Sequence, residues 1–182
     1  QERMFRTDPR VVEAGGNGVH RRHLTVGVLQ QHRLGAVQHS EGATLEAGRV
    51  LAQSLSVAAA FDAEGYLYVS DYLNFRVQVF DAAGDLDLVF GRAGDRPGDM
   101  NRPRGLAADA ANGVLYQVDG AFQLVQMFNL DGEVLMWFGE PGSGPGQFSL
   151  PSGIALRDDL LVVADTLNHR LQLFRFLGSP QE

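Results

Sequence analysis

A chain of 182 residues and 19.8 kDa with a net charge of −7 has room for one domain, with at most a small appendage. At 45% hydrophobic and 20% charged residues it has the balance of a folded domain and not of a disordered one. No apolar run approaches the roughly 18 residues of a membrane-spanning helix, and the absence of Cys excludes disulfides, thiolate-bound zinc and a thiol nucleophile.

A cysteine-free chain fits either redox compartment, an extracytoplasmic one included, so composition does not place the protein. All 15 basic residues are Arg, which favours forked pairs with carboxylates over mobile ammonium contacts. The chain opens on Gln1, and its first 30 residues lack the basic, apolar and small-residue regions of a signal peptide, so a processed or partial chain is expected.

Residues 1–55 form an atypical amino-terminal segment. It carries seven Arg against five acidic residues, whereas residues 56–182 carry eight against seventeen. Residues 23–30 alternate enough to form a strand. The segment is expected either to close the last repeat with that kind of strand or to make a degenerate unit of its own. A short helix is expected over residues 42–59, which are rich in Ala, Leu and Glu. His20, His23, His32 and His39 match no metal-ligand spacing, so no metal is expected on them.

From residue 56 onward the chain repeats. DYLNFRVQVF at 71–80, DGAFQLVQMF at 119–128 and DTLNHRLQLF at 165–174 each run from Asp to Phe with Gln two before the Phe. Their Asp residues are 48 and 46 apart; Phe90 and Phe138, and Pro103 and Pro151, are also 48 apart. Each unit divides into four short segments. The first is small and apolar (57–61, 105–108, 153–156), as suits strands crowded around an axis. A turn with Gly65 or Gly113 leads to the second (66–70, 114–118, 160–164). The third alternates plainly over 76–80, 124–128 and 170–174. A further turn leads to the fourth, 85–90 and 133–138, which the last unit lacks. Four strands every 40 to 50 residues predict propeller blades.

The run from Pro151 to Phe174, with Asn168, His169 and Arg170 after Asp165, resembles an NHL repeat, as does the connection at 142–148. The likeness covers residues 56–175. The first unit departs at Phe75 and Ser56, and the middle unit at Phe122 and Leu124. The resemblance implies an all-β fold, a partial β-propeller of about three four-stranded antiparallel NHL-type blades. The family's propellers commonly have six blades, so dimerisation of two such chains is one route to a closed ring. A fourth blade from residues 1–55, or a longer chain, are the others.

Function follows from the same pattern. The first expectation is a non-enzymatic binding or scaffold module that presents a loop face to a protein, peptide or glycan. An enzyme of the lyase or lactonase kind with a central metal is the second, and a purely structural assembly subunit the third. No catalytic residue and no cofactor are expected. Asp71, Asp119 and Asp165 are expected to hold their turns, with Arg76 and Arg170 bonded to neighbouring carboxylates or carbonyls. The candidate binding face gathers Tyr72, Phe75, Arg92, Arg96, Arg102, Arg104 and His169, because the strand count brings residues 91–105 to the same end as the turns at 72–75 and 166–169. Salt bridges to Asp95 and Asp99 are the alternative use of those arginines. Nucleic acid is not an expected partner, since the repeat region carries a charge of −9.

Overall fold

The computed structural model describes residues 5–7, 12–13 and 56–176. Among these, strands and three single-turn 3-10 helices account for the regular structure. Three antiparallel sheets follow one another along the chain. Blade I contains β3 (Ser56–Phe61), β4 (Leu67–Asp71), β5 (Arg76–Phe80) and β6 (Leu86–Phe90), paired in chain order. Two short strands, β1 (Phe5–Thr7) and β2 (Val12–Glu13), come earlier in the chain. Blade II contains β7 (Pro103–Asp109), β8 (Val114–Asp119), β9 (Leu124–Asn129) and β10 (Val134–Phe138). A connection with a parallel pair, β11 (Glu140–Pro141) and β12 (Gln147–Phe148), leads to blade III. That blade holds β13 (Pro151–Arg157), β14 (Leu160–Asp165) and β15 (Arg170–Phe176).

The outer edge of blade III is filled from the other end of the chain. Strand β1 pairs with β15 antiparallel, Phe5 opposite Phe176 and Thr7 opposite Phe174, and β2 places Val12 opposite Leu171. The edge strand of this blade therefore has its main-chain groups partly occupied, as an edge needs if it is not to recruit other strands.

The alternation of each strand explains the stacking. The middle strands of blades I and II are buried on both sides, whereas β10 shows half-buried Val134, Met136 and Phe138 alternating with exposed Leu135 and Trp137. Between blades I and II lie Tyr68, Val77, Val79, Met100, Leu106, Leu115 and Phe128. Between II and III lie Tyr116, Val118, Val125, Met127, Phe148, Leu161, Val163 and Phe174. Rings knit each interface, with centroids 5.0 Å apart for Phe90 and Phe128 and 4.8 Å for Phe138 and Phe174. The first strands of adjacent blades nearly touch. A Cβ on Gly105 would stand 2.8 Å from the Ser152 carbonyl oxygen and 2.9 Å from the Ile154 nitrogen.

The segmentation expected from the repeat stands, with strand ends moved by one or two residues. The helix expected over 42–59 needs correction: Ser56–Phe61 is a strand, with Ala59 opposite Val69 and Phe61 opposite Leu67. Pairing to β4 overrides the helical preference of its three alanines. The rest of that helix, the strand expected at 23–30 and the four amino-terminal histidines lie outside the described residues.

Candidate functional site

One end of every blade is built around a buried carboxylate. Asp165 is fully buried where β14 enters its turn. It accepts hydrogen bonds from Asn168 Nδ2 at 2.9 Å, Arg170 Nε at 2.8 Å, Gln172 Nε2 at 3.0 Å and the Ser149 backbone N–H at 2.7 Å. Spacing makes this possible. Asn168 lies on the 3-10 turn (Thr166–Asn168), while Arg170 and Gln172 are two apart on one face of β15. Arg170 then donates its terminal nitrogens to the carbonyls of Ser143, Gly144 and Gln147, tying the connection between blades to blade III. Charge-assisted bonds of this kind are the strong ones.

Blade I repeats the arrangement with Asp71, Asn74, Arg76 at 2.8 Å and Gln78 at 3.1 Å. Blade II keeps the carboxylate and changes its donors. Phe122 and Leu124 stand in place of Asn and Arg, and Asp119 accepts from the backbone N–H groups of Asn101, Arg102, Ala121 and Phe122. The repeated Asp residues are thus anchors of the turns and connections in all three blades.

The residue that closes each turn is Phe75, Gln123 or His169, with φ of 57°, 59° and 54°. Phe75 and His169 directly follow 3-10 turns, and His169 donates its backbone N–H to the Thr166 carbonyl. His169 is exposed, and Tyr72 and Phe75 are half-buried.

The connection 91–102 crosses the same end. Arg92 Nε bonds Asp99 Oδ1 at 2.8 Å while its side chain remains 71% exposed. Gln126 clamps the connection, accepting from the Gly98 N–H at 3.0 Å and donating to the Asp99 carbonyl at 2.9 Å. Arg96 and Arg102 are exposed, and no ion pair ends on either among the described residues. Arg104 is half-buried, and its Nε makes no hydrogen bond. Of the two carboxylates that could have neutralised this stretch, Asp99 takes Arg92 and Asp95 takes no cation among the described residues.

The change in blade II has a geometric consequence. In blade III the Arg170 side chain, 9% exposed, fills the space under its connection. In blade II the shorter Leu124 leaves a slot of about 240 Å³. Phe122, Leu124, Gln126 and Trp137 line it, together with Asp95, Arg96, Pro97 and Asp99 of the connection. Trp137 is 48% exposed. Phe122 and Leu124 were visible in the sequence as departures from the repeat; that Trp137 reaches the same place was not.

The Arg92 guanidinium, followed by the Arg96 N–H, holds the Asp99 carboxyl below its usual value of 3.8. A group lowered on folding stabilises above its unfolded value and ceases to do so as pH falls through the folded one. The 91–102 connection is therefore expected to stay clamped down to about pH 4 and to loosen only below it. Amide exchange at Gly98 and Met100 measured against pH checks this, and Arg92→Ala should move the onset upward.

Two four-stranded sheets and a third of five strands, around close-packed first strands and with turns and connections at shared ends, define part of a β-propeller. The NHL repeat model matches residues 148–174, which run from the end of the connection through the turn and third strand of blade III. Among solved structures, an auxiliary nutrient binding protein from Bacteroides thetaiotaomicron is similar with a TM-score of 0.52 at 17% identity, over 65% of this chain and 36% of its own. A structural genomics protein of unknown function from the same organism gives 0.51 at 14%, over 68% and 48%. At these identities the likeness is one of fold. The chain spans about a third to a half of the length of those structures. No curated protein matches the sequence.

Proposed function

We propose that the protein is a non-enzymatic binding module whose partner docks on the end formed by the connections and turns. The observation that carries this reading is the slot in blade II, where Phe122, Leu124 and an exposed Trp137 lie beside the Arg96 guanidinium, which makes no ion pair among the described residues. Apolar side chains next to an exposed guanidinium suit a protein or peptide segment with an aromatic or branched residue beside a carboxylate. Selection from a displayed random-peptide library is expected to enrich such sequences. Trp137→Ala should reduce binding of the selected peptides at least about tenfold, in line with an aromatic anchor. Peptides indifferent to both Trp137→Ala and Arg96→Ala would overturn the reading. Recovery of a glycan whose binding depends on Trp137 would change the partner class.

A specific observation also favours pairing of two chains. In blades I and II the side facing the next blade is closed: Tyr68, Val77 and Val79, then Tyr116, Val125 and Met127, are all buried. The equivalent residues of blade III, Val162, Leu171 and Leu173, are only half-buried. An apolar face shaped to receive a blade favours association with a second copy, for which a two-fold pair is the commonest form. The molar mass in solution is expected near twice 19.8 kDa. A monomer at high concentration contradicts this.

A further inference from the structure

The end of the blades opposite the loop face holds a separate cavity of about 380 Å³ between blades II and III. Val114, Met127, Leu156 and Leu161 make its apolar walls, and Asp109, Asp158 and Asp159 lie at its polar side. No basic side chain lines it. Asp158 and Asp159 share surface pairs with Arg157 at 3.8 Å and Arg175 at 2.9 Å, and solvent-exposed pairs of this kind hold weakly. Asp109 has no cation among the described residues: its carboxylate accepts only from Asn112, through the backbone N–H at 3.2 Å and Nδ2 at 2.9 Å.

Tyr116 supplies the independent sign of a ligand. It lines the cavity, is 5% exposed, and its hydroxyl makes no hydrogen bond among the described residues. Its counterpart in blade I, Tyr68, donates its hydroxyl to Asp62 Oδ2 at 3.0 Å. The difference has a local cause. Asp62 precedes its tyrosine by six residues, whereas Asp109 precedes Tyr116 by seven, and the longer hairpin commits Asp109 to capping Asn112. Blade III has Val162 at the same position, so the arrangement occurs once among the described blades. The Tyr116 residue is 5% exposed, and its hydroxyl is open to the cavity, where it is free to hydrogen-bond an occupant. Burial first, and then the Asp109 charge, raise the Tyr116 pKa, so the two groups lie within electrostatic reach and the phenol stays protonated.

We propose that this cavity binds a small organic cation, a primary ammonium on an aromatic or branched apolar body. The ammonium sits between the Asp109 carboxylate and the Tyr116 hydroxyl oxygen, and the body packs on Val114, Met127, Leu156 and Leu161. This site is independent of the slot in blade II.

The test uses the full chain with 2-phenylethylammonium as probe, followed by backbone amide shifts in NMR. 2-Phenylethanol and 3-phenylpropanoate serve as the neutral and anionic analogues. Saturable shifts are expected at residues 109–116 and 156–161 with the ammonium. The alcohol should bind at least about fivefold more weakly, since it forgoes the charge-assisted bond, and the carboxylate not measurably. Asp109→Asn should weaken the ammonium about tenfold and Tyr116→Phe about threefold. The amide oxygen introduced by Asp109→Asn can still accept the Asn112 N–H, and Tyr116→Phe keeps the ring packing, so both variants should fold, as amide dispersion will show. Trp137→Ala should leave this binding unchanged, which separates failure here from failure of the peptide-binding reading. Equal affinity for ammonium and alcohol, an unaffected Asp109→Asn variant, or no saturable shift at these residues overturns the proposal.

Discussion

Asp165→Ala is expected to destabilise the protein by about 3–5 kcal/mol, the usual cost of removing one partner of a buried ion pair. The Asp165 carboxylate is fully buried and accepts four hydrogen bonds, one of them from Arg170 Nε. Its loss leaves a 9%-exposed guanidinium without its anion and takes one acceptor each from the side-chain amides of Asn168 and Gln172, which keep only the Gly142 and Gln147 carbonyls. Total stabilities of about 5–15 kcal/mol make this a large fraction of what holds the fold. Asp119→Ala should cost less, since that carboxylate satisfies backbone N–H groups and strands no buried cation. Urea unfolding of both variants measures the difference. A loss below about 1 kcal/mol for Asp165→Ala, in the range of an exposed pair, would contradict the role assigned to the anchor.

The second large effect is at the axis. Gly105→Ala is expected to cost about 2–3 kcal/mol, toward the upper end for an overpacked site. The added Cβ would press on main-chain atoms of blade III, 2.8 Å from the Ser152 oxygen and 2.9 Å from the Ile154 nitrogen, and backbone yields less readily than a side chain. Gly153 is the matched control. It occupies the same place in blade III, yet a Cβ there meets only the Ala164 Cβ at 3.7 Å. Gly153→Ala should therefore change stability by less than about 1 kcal/mol in the isolated chain. If a second copy closes the ring on blade III, the same substitution should also weaken the dimer, seen as a fall in molar mass on dilution. Equal costs at the two glycines would mean that blades II and III do not approach as closely as described.

The repeat was legible because its causes are local. Asp, Asn, Arg and Gln at fixed offsets converge on one point whenever a strand, a single 3-10 turn and a second strand follow in that order. Any chain with such spacing forms the anchor, and the alternation of 76–80, 124–128 and 170–174 marks the strands that carry it. The turn position shared by Phe75, Gln123 and His169 was legible for the same reason: three unlike residues in one place indicate a backbone role. The helix over 42–59 failed where residues 56–61 met β4, because a run of Ala has no pattern of its own and strand pairing supplies one.

The sites were less legible. Phe122 and Leu124 are visible departures from the repeat, but the slot exists only because Trp137, on the outermost strand, stands beside the space that Arg would have filled. Tyr116 and Asp109 look in sequence like Tyr68 and Asp62. One additional residue in the hairpin separates them and turns a satisfied pair into an open hydroxyl facing a cavity.

By itself, then, the order of residues determined the number of blades described, their strands and the carboxylate at the anchor of each, since these depend on contacts within one repeat and its adjoining connection. Only the tertiary structure decided that β1 and β2 lie along β15, that Gly105 meets the main chain of the next blade, and that two cavities open at opposite ends. Those features arise where segments brought together by folding meet, and their geometry is set by how strands, connections and sheets pack and not by any spacing along the chain.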